Sequence, residues 1–459
     1  MRRLKGNLSQ KALNRIKRNL KRHKKHYPEY KRNIWHNMLP LLRHILPAVL
    51  PFGVLSLAVT GLLWPTHCQA QVLDEIGIET TDIDTSQVQT LRADIDALAF
   101  FRDNEYNTNI QNGYSLPGVR LTPHLAYTPI RQINIEAGAS MLFFNGANKY
   151  PCFVYHDIAT WKGNQYQPGT HVVPWVRLQA AFKHIDIVLG NIYGTTNHQL
   201  LRPLYNSEQV ISADPEMGVQ LLVKTKHFDM DTWMNWQSYQ FELDTHQEAF
   251  TVGLSSKTKW NICNAEFYTP IQLVIQHRGG EQDRTNMGVQ TICNGAFGLA
   301  LRKNYNTWFN GFDAQIAALG CYQQAGKLWP FDLGFSGYAG LKTSFWNHFN
   351  LVADYTYTPR QFVSLYGNPF YSSISIKHGG TVEREDGSIE GQYDYTYSKM
   401  HNLRIELDYH YTFAKHYTLG VDAELYAMNA AKQENTVNFS FGIYLHVNPT
   451  ITIKKFKKQ

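Results

Sequence analysis

Between residues 403 and 413 every odd position is apolar or aromatic and every even position is polar. Leu403, Ile405, Leu407, Tyr409, Tyr411 and Phe413 alternate with Arg404, Glu406, Asp408, His410 and Thr412. A period of two over eleven residues predicts an extended strand whose two faces meet unlike surroundings. The pattern recurs along the chain. Val119, Leu121, Leu125 and Tyr127 oppose Arg120, Thr122, His124 and Thr128, and Ile133, Ile135, Ala137, Ala139, Met141 and Phe143 oppose Asn134, Glu136, Gly138 and Ser140. Phe228, Met230, Met234 and Trp236 face away from Asp229, Asp231 and Asn235. Near the end, "VNFSFGIYLHV" alternates in the same way.

The second face of these strands is Gly, Ser, Thr, Asn and charged residues, which cannot build another packed core. A soluble antiparallel sandwich also alternates, but it has no need of Tyr and Phe so regularly on its apolar face. The chain has 27 Tyr, 24 Phe and 10 Trp with only 18% charged residues, which favours sheet over helix. Short connections such as "TPIRQ", "KHFD", "WNHFN" and "FAKHYT" alternate with longer polar segments at 144–170, 191–217, 278–287 and 378–394. Tight turns at one rim and long loops at the other are the layout of an outer-membrane barrel. The expected fold is therefore all-β, an antiparallel transmembrane β-barrel. From Gly118 onward, about 340 residues at about 20–25 per strand and connection give about 14–16 strands. In lipid such a sheet must close, because an open edge leaves backbone groups unpaired.

The leader fits export. Arg43 precedes an apolar run from about Ile45 to Trp64, and Cys68 and Ala70 stand at −3 and −1 of a cut before Gln71. Pro51 interrupts the run, which weighs against a retained membrane helix, and Pro65-Thr66-His67 before Cys68 is a poor match to a lipid-anchor signal. Met38 offers an alternative start. Residues 1–70 hold 14 Lys and Arg and one acid, Glu29, so 30 of the 44 basic and 36 of the 37 acidic residues lie in 71–459. The mature part is mildly acidic, and its charge gives no reason to expect nucleic acid. The expected domains are a leader 1–70, a periplasmic arm, first strand or plug at 71–117, the barrel at 118–453 and a basic tail at 454–459. Cys152, Cys263, Cys293 and Cys321 are widely spaced and match no zinc pattern; their pairing is not readable.

Under the barrel reading Arg120, Glu136, Arg404, Glu406, Asp408, His410, Asp422 and Glu424 line the lumen as candidate pore residues. Arg404, Glu406, Asp408 and His410 lie one hairpin from Asp422 and Glu424, near enough for cross-strand pairing. Two readings stand: they set the field of a water-filled pore, or they form a hydrogen-bonded wall. His227, Asp229 and Asp231 fall on one side of a strand as weak metal candidates, but same-face neighbours are about 7 Å apart, wide for one ion. No Ser–His–acid set, phosphate loop, CxxC or HExxH is visible, so no catalytic residue and no cofactor is expected. Trp161, Trp175, Trp233, Trp236, Trp308, Trp329 and Trp346 suit a membrane-interface belt, and "WKGNQYQPG" suits a sugar-stacking surface.

"FFRDNEYNTNIQNGYSLPGVRLTPHLAYTP", "NIYGTTNHQLLRPLYNSE" and "DTWMNWQSYQFELDTHQEAFTVGLSS" resemble segments of porin-like exported outer-membrane β-barrel proteins of Bacteroidetes, over most of 99–459. The resemblance implies a barrel in the cell outer membrane and no particular substrate. The final "PTITIKKFKKQ" departs from a barrel ending in a terminal aromatic. The leading expectation is a non-enzymatic channel for small hydrophilic solutes, surrounded by outer-membrane lipid. Its rivals are a plugged accessory barrel that binds envelope proteins or glycans through its loops, and an outer-membrane lipid hydrolase.

Overall fold

The computed structural model describes residues 72–108, 112–144, 170–240, 247–280, 289–325, 331–373, 380–383, 389–392, 399–430 and 436–456. The leader, Cys152, "WKGNQYQPG" and tail residues 457–459 lie outside them.

Sixteen antiparallel strands close into a barrel. The first four are β1 (Thr90–Asn107), β2 (Asn112–Ile130), β3 (Ile133–Phe144) and β4 (Thr170–Ala181). They are followed by β5 (Ile185–Asn191), β6 (Met217–Lys224), β7 (Phe228–Ser238) and β8 (Ala249–Ile262). The third quarter holds β9 (Ala265–Arg278), β10 (Gln290–Asn304), β11 (Phe309–Ala325) and β12 (Leu333–Phe345). Next come β13 (Phe349–Thr358), β14 (Met400–Phe413) and β15 (Tyr417–Asn429). The last, β16, runs Thr436–Val447 and resumes past Asn448 and Pro449 as Thr450–Lys455. It closes the barrel on β1, with Ala97 opposite Val447 and Glu105 opposite Phe439. A separate hairpin pairs Gly380–Glu383 with Ile389–Gln392.

The turn chemistry explains why one rim is tight. Cys263-Asn264, Trp346-Asn347 and Ala414-Lys415 each place two successive residues at positive φ, between 49° and 66°, which matches the right-handed twist of the flanking strands. Long loops leave the opposite rim, which by the layout of such barrels is extracellular. Trp308, Phe345, Trp346, Phe349 and Tyr409 form a belt beside the tight turns, with the two indoles 5.6 Å apart. The alternation then sorts itself as expected. Leu403, Ile405 and Leu407 point outward to lipid, while Arg404, Glu406 and Asp408 point inward.

The interior differs from a wet pore. Three segments occupy it: the helix α1 (Val72–Gly77) and the loops 192–216 and 359–373. Leu201, Leu204 and Tyr205 of the first loop pack with Phe362, Val363 and Leu365 of the second against Ile292, Leu319 and Tyr338 of the wall. Val72, Leu73 and Ile76 of α1 meet Val210 and Ile211 from the first loop, beside Leu98, Phe100 and Tyr444. Each fully buried aliphatic or aromatic side chain of this kind contributes about 1.5–3 kcal/mol, so these inserts are held as a core holds its elements.

Charged groups at mid-barrel are satisfied by one another. Arg102 reaches Asp422 at 3.0 Å, Glu424 at 2.7 Å and Glu208 of the inserted loop at 3.2 Å. Arg404 reaches Asp354 at 2.8 Å and Glu424 at 3.1 Å, and also binds Glu406.

Candidate active site

The wall is uneven. β5 and β6 have 7 and 8 residues, the shortest strands of the barrel. A transmembrane strand needs about 9–11 residues to cross the hydrocarbon layer, so both stop short. Both are complete at the tight-turn rim, so the shortfall lies on the outer-leaflet side. β4 pairs with β5 only from Arg177 to Ala181, and β7 pairs with β6 only up to Asn235. Above those levels the two flanking strands face each other across a dip.

The dip is lined so that few backbone groups are left bare. Asn191 Oδ1 accepts the Val176 N–H at 2.7 Å, and Asn235 Oδ1 accepts the Met217 N–H at 3.1 Å. Pro174 shares the side of β4 on which Val176 points and has no N–H to leave unpaired. Gly190, at φ +87°, is the penultimate residue of β5; a Cβ there would lie 2.1 Å from the Val176 carbonyl oxygen. Arg177 donates to the carbonyls of Asn191 and Ile192 at 2.8 and 3.2 Å and reaches Glu79 at 2.7 Å.

Instead of rising into solvent, the chain after Asn191 turns inward as the loop 192–216. Tyr193 anchors the turn: its N–H donates to Gln220 and its hydroxyl to Gln179. A one-turn helix at Thr195–His198 follows. It carries His198, only 2% exposed, onto the face of Trp233. Asp231 accepts from His198 Nδ1 at 2.7 Å, and Glu216 lies 3.3 Å from Nε2. Asp231 also accepts from Gln220 at 2.9 Å, while Glu216 accepts the Thr195 N–H at 2.7 Å. Gly194 permits this approach, since a Cβ there would sit 2.8 Å from Glu216 Oε1.

The electrostatics follow from that arrangement. Burial alone drives the His198 ring toward neutrality, but the carboxylates of Asp231 and Glu216 outweigh it and push its pKa up to about 9. Burial likewise opposes the Glu216 carboxylate, and the charge of His198 with its hydrogen bonds nevertheless holds that group below the usual range. His198 and Glu216 line a cavity of about 270 Å³ that lies in the dip, bounded by Val173 and Pro174 of β4, Trp233 and Trp236 of β7, and Tyr205 and Tyr366 of the inserted loops. Trp236 is 39% exposed on the outer face, so the cavity meets the lipid side of the wall.

The residues singled out from sequence have these places. Arg404, Glu406, Asp422 and Glu424 come together in the mid-barrel network, joined by Arg102, Asp354 and Glu208, which sequence reasoning did not include. Asp408 accepts from Asn350 at 2.8 Å, and His410 lies 3.0 Å from Glu75 of α1. Arg120 donates to the Val210 carbonyl, and Glu136 accepts from Asn134 and the Trp175 indole. His227, Asp229 and Asp231 are not brought together: His227 sits exposed in a turn, Asp229 pairs with Lys259 at 2.6 Å, and Asp231 belongs to His198. Among the described residues no group of three His, Cys, Asp or Glu has metal-holding geometry. Trp175 and Trp233, expected in the belt, point inward and are buried. Cys263, Cys293 and Cys321 are free thiols.

Fold and site together define an outer-membrane β-barrel with an occupied lumen and a histidine–carboxylate cavity in its wall. A family model described as "Lipid A 3'-O-deacylase-type" matches residues 83–456, and the chain belongs to that family. No curated protein matches the chain. Among solved structures, Acinetobacter baumannii OccAB4 is similar at 8% identity and a TM-score of 0.43, covering 80% of this chain and all of that one. The outer membrane protein OprD of Pseudomonas aeruginosa is similar at 9% and 0.43, covering 82% and 96%. Likenesses at that score carry no argument about the site.

The family membership corrects two expectations. The reading of the chain as a channel for small hydrophilic solutes falls, and so does the expectation that it is not an enzyme. The physical reason for the error is the inward-folded loops: alternation reports that a strand face is polar, and it is silent on whether water or protein fills the space behind it.

Proposed function

We propose that the protein is an outer-membrane esterase that removes an O-linked acyl chain from lipid A, with the lipid approaching sideways from the outer leaflet through the dip above β5 and β6. Family membership supports the reaction class. The observation that carries the reading is the cavity in that dip, where a hydrocarbon-side opening leads to His198 held between Asp231 and Glu216.

The chemistry follows from the charges. Glu216 takes a proton from water, and the hydroxide formed adds to the acyl carbon. Collapse of the tetrahedral intermediate breaks the bond to the sugar oxygen, which takes a proton from His198 Nε2. Asp231 holds Nδ1 and fixes the ring. Glu216 then returns its proton to His198 across their 3.3 Å contact. Water is consumed, and a fatty acid and a sugar hydroxyl are produced. The kinship with barrels of Bacteroidetes, and glycan contacts by the outer loops, remain part of this proposal.

The test is mass spectrometry of lipid A incubated with the purified barrel in detergent micelles. Loss of one acyl chain with release of free fatty acid is expected, abolished in His198→Gln and Glu216→Gln. Unchanged lipid A in the presence of a heat-modifiable, folded barrel would sink the proposal.

A further inference from the structure

A groove of about 620 Å³ crosses the outer wall over β8–β14, apart from the strands that form the dip. It follows two adjoining rungs of outward side chains. Leu301, Ala314, Leu341 and Ala353 stand opposite one another in turn, and Leu299, Ile316, Ala339 and Tyr355 do the same one rung above. The three alanines make the floor, and the larger side chains make the banks. Trp260 lies at one end and Leu403 at the other. Trp260 stands three residues before the Cys263-Asn264 turn, and Leu403 stands eleven before the Ala414-Lys415 turn. The difference is eight residues of strand, which at about 3.3 Å each and a tilt of about 40° make a rise of about 20 Å. The groove thus climbs from the tight-turn interface through the nearer leaflet, whose hydrocarbon is about 15 Å deep. Charge supplies an independent observation. Lys303 follows Leu301 on the outward face, one step nearer the tight-turn rim, while Arg302 between them turns inward onto Asp313. Its ammonium lies 5.5 Å from the centre of the Tyr305 ring, and Phe312 is opposite it on β11. Among the described residues no carboxylate pairs with Lys303.

We propose that the groove holds an acyl chain of one glycerophospholipid of the periplasmic leaflet, with the lipid phosphate on Lys303. At this depth water is absent, and a hollow left empty forfeits the dispersion contacts of its lining, so hydrocarbon fills it. A second barrel would present a convex wall, which touches a trough along its banks and leaves the floor bare. A flexible chain reaches the floor. Lys303 stands at the level where the phosphates of that leaflet lie, and an unpaired ammonium there attracts them. Tyr305 and Trp260 suit the same level. The dip opens on the outer-leaflet side, so this lipid is a resident of the wall and is distinct from the substrate proposed for the cavity.

The experiment titrates phosphatidylglycerol into the purified, delipidated barrel in detergent micelles and counts bound lipids by native mass spectrometry. The first lipid is expected to bind at a concentration at least tenfold lower than the second, which corresponds to about 1.4 kcal/mol. Two variants separate the parts of the site. Ala339→Leu with Ala353→Leu fills the floor, and Lys303→Glu reverses the charge at the rim. All three side chains face lipid and leave the packed lumen untouched, and heat-modifiability reports that each variant is folded. Each is expected to bring the first binding step to within about threefold of the second. Uniform binding of all lipids by the parent overturns the inference, as does a tight first step that survives both variants. A dimer that is lost when the floor is filled also overturns it and gives the groove to a second copy of the chain.

Discussion

His198 lies flat on Trp233, with ring centroids 3.5 Å apart and planes 8° from parallel. The indole thus covers one face of an imidazolium whose two nitrogens are taken by Asp231 and Glu216. A cation on an aromatic face gains about 0.5–2 kcal/mol. Trp233→Leu is expected to lower the His198 pKa and cut acyl release several-fold. NMR titration of the labelled ring checks the first effect, and retention of a pKa near 9 would refute it.

Asp231→Asn removes the stronger of the two carboxylate contacts. The remaining buried charges then lack full compensation, a defect that costs about 3–5 kcal/mol locally. Acyl release is expected to fall by at least about a hundredfold, in line with the usual worth of a positioned acid–base group. Activity within a few-fold of the parent would remove His198 from the mechanism.

The pH profile has a definite sign. The folded pKa of His198 is raised, so its contribution is fully present below the unfolded value of 6.5 and is lost as pH rises through about 9. Glu216 is depressed, so its contribution is present above 4.5 and is lost as pH falls through its lower folded value. Activity should be flat across neutral pH and fall on an alkaline limb centred near 9. An alkaline limb centred near 6.5 would show that His198 is not held by its acids.

Glu75 on α1 behaves in the opposite way to Glu216. Burial first, and Asp408 second, push its pKa up to about 9, with Lys342 opposing. The docked helix therefore favours the protonated acid, and stability falls as pH rises from 4.5 through about 9. Glu75→Gln should raise the midpoint of heat-modifiability at pH 8 and flatten its pH dependence. A lower midpoint would contradict the docking described for α1.

Asn191→Ala and Asn235→Ala each strip an acceptor from a backbone N–H at the dip. Each is expected to cost about 1–3 kcal/mol, because those groups face a medium that offers little replacement. Thermal unfolding in micelles measures the loss. No loss in either variant would mean that water already reaches both edges.

The strand faces were legible from Leu403 to Phe413 because lipid and lumen impose opposite demands on neighbouring side chains. The tight turns were legible for a related reason, since few residues separate one alternating run from the next. The site was not legible. His198 and Glu216 lie in a segment that reads as a polar surface loop, and Asp231 carries no mark that it faces a residue 33 positions earlier. One signal was present: Leu200, Leu201, Leu204, Tyr205, Val210 and Ile211 are too many large apolar residues for a loop in water. Arg102 was passed over because "FFRDNEY" breaks the simple alternation with a second aromatic, although its even positions do point inward.

The shortness of β5 and β6 also acts on the bilayer itself. Where the wall is low, neighbouring lipids must tilt or the leaflet must thin to keep hydrocarbon against apolar surface, at a fraction of a kcal/mol per Å of mismatch. A lipid beside the dip is therefore already partly displaced from its resting depth. On the proposed route for the substrate lipid, the barrel performs some of the work of extraction before any group of the cavity touches it, through the length of two strands alone.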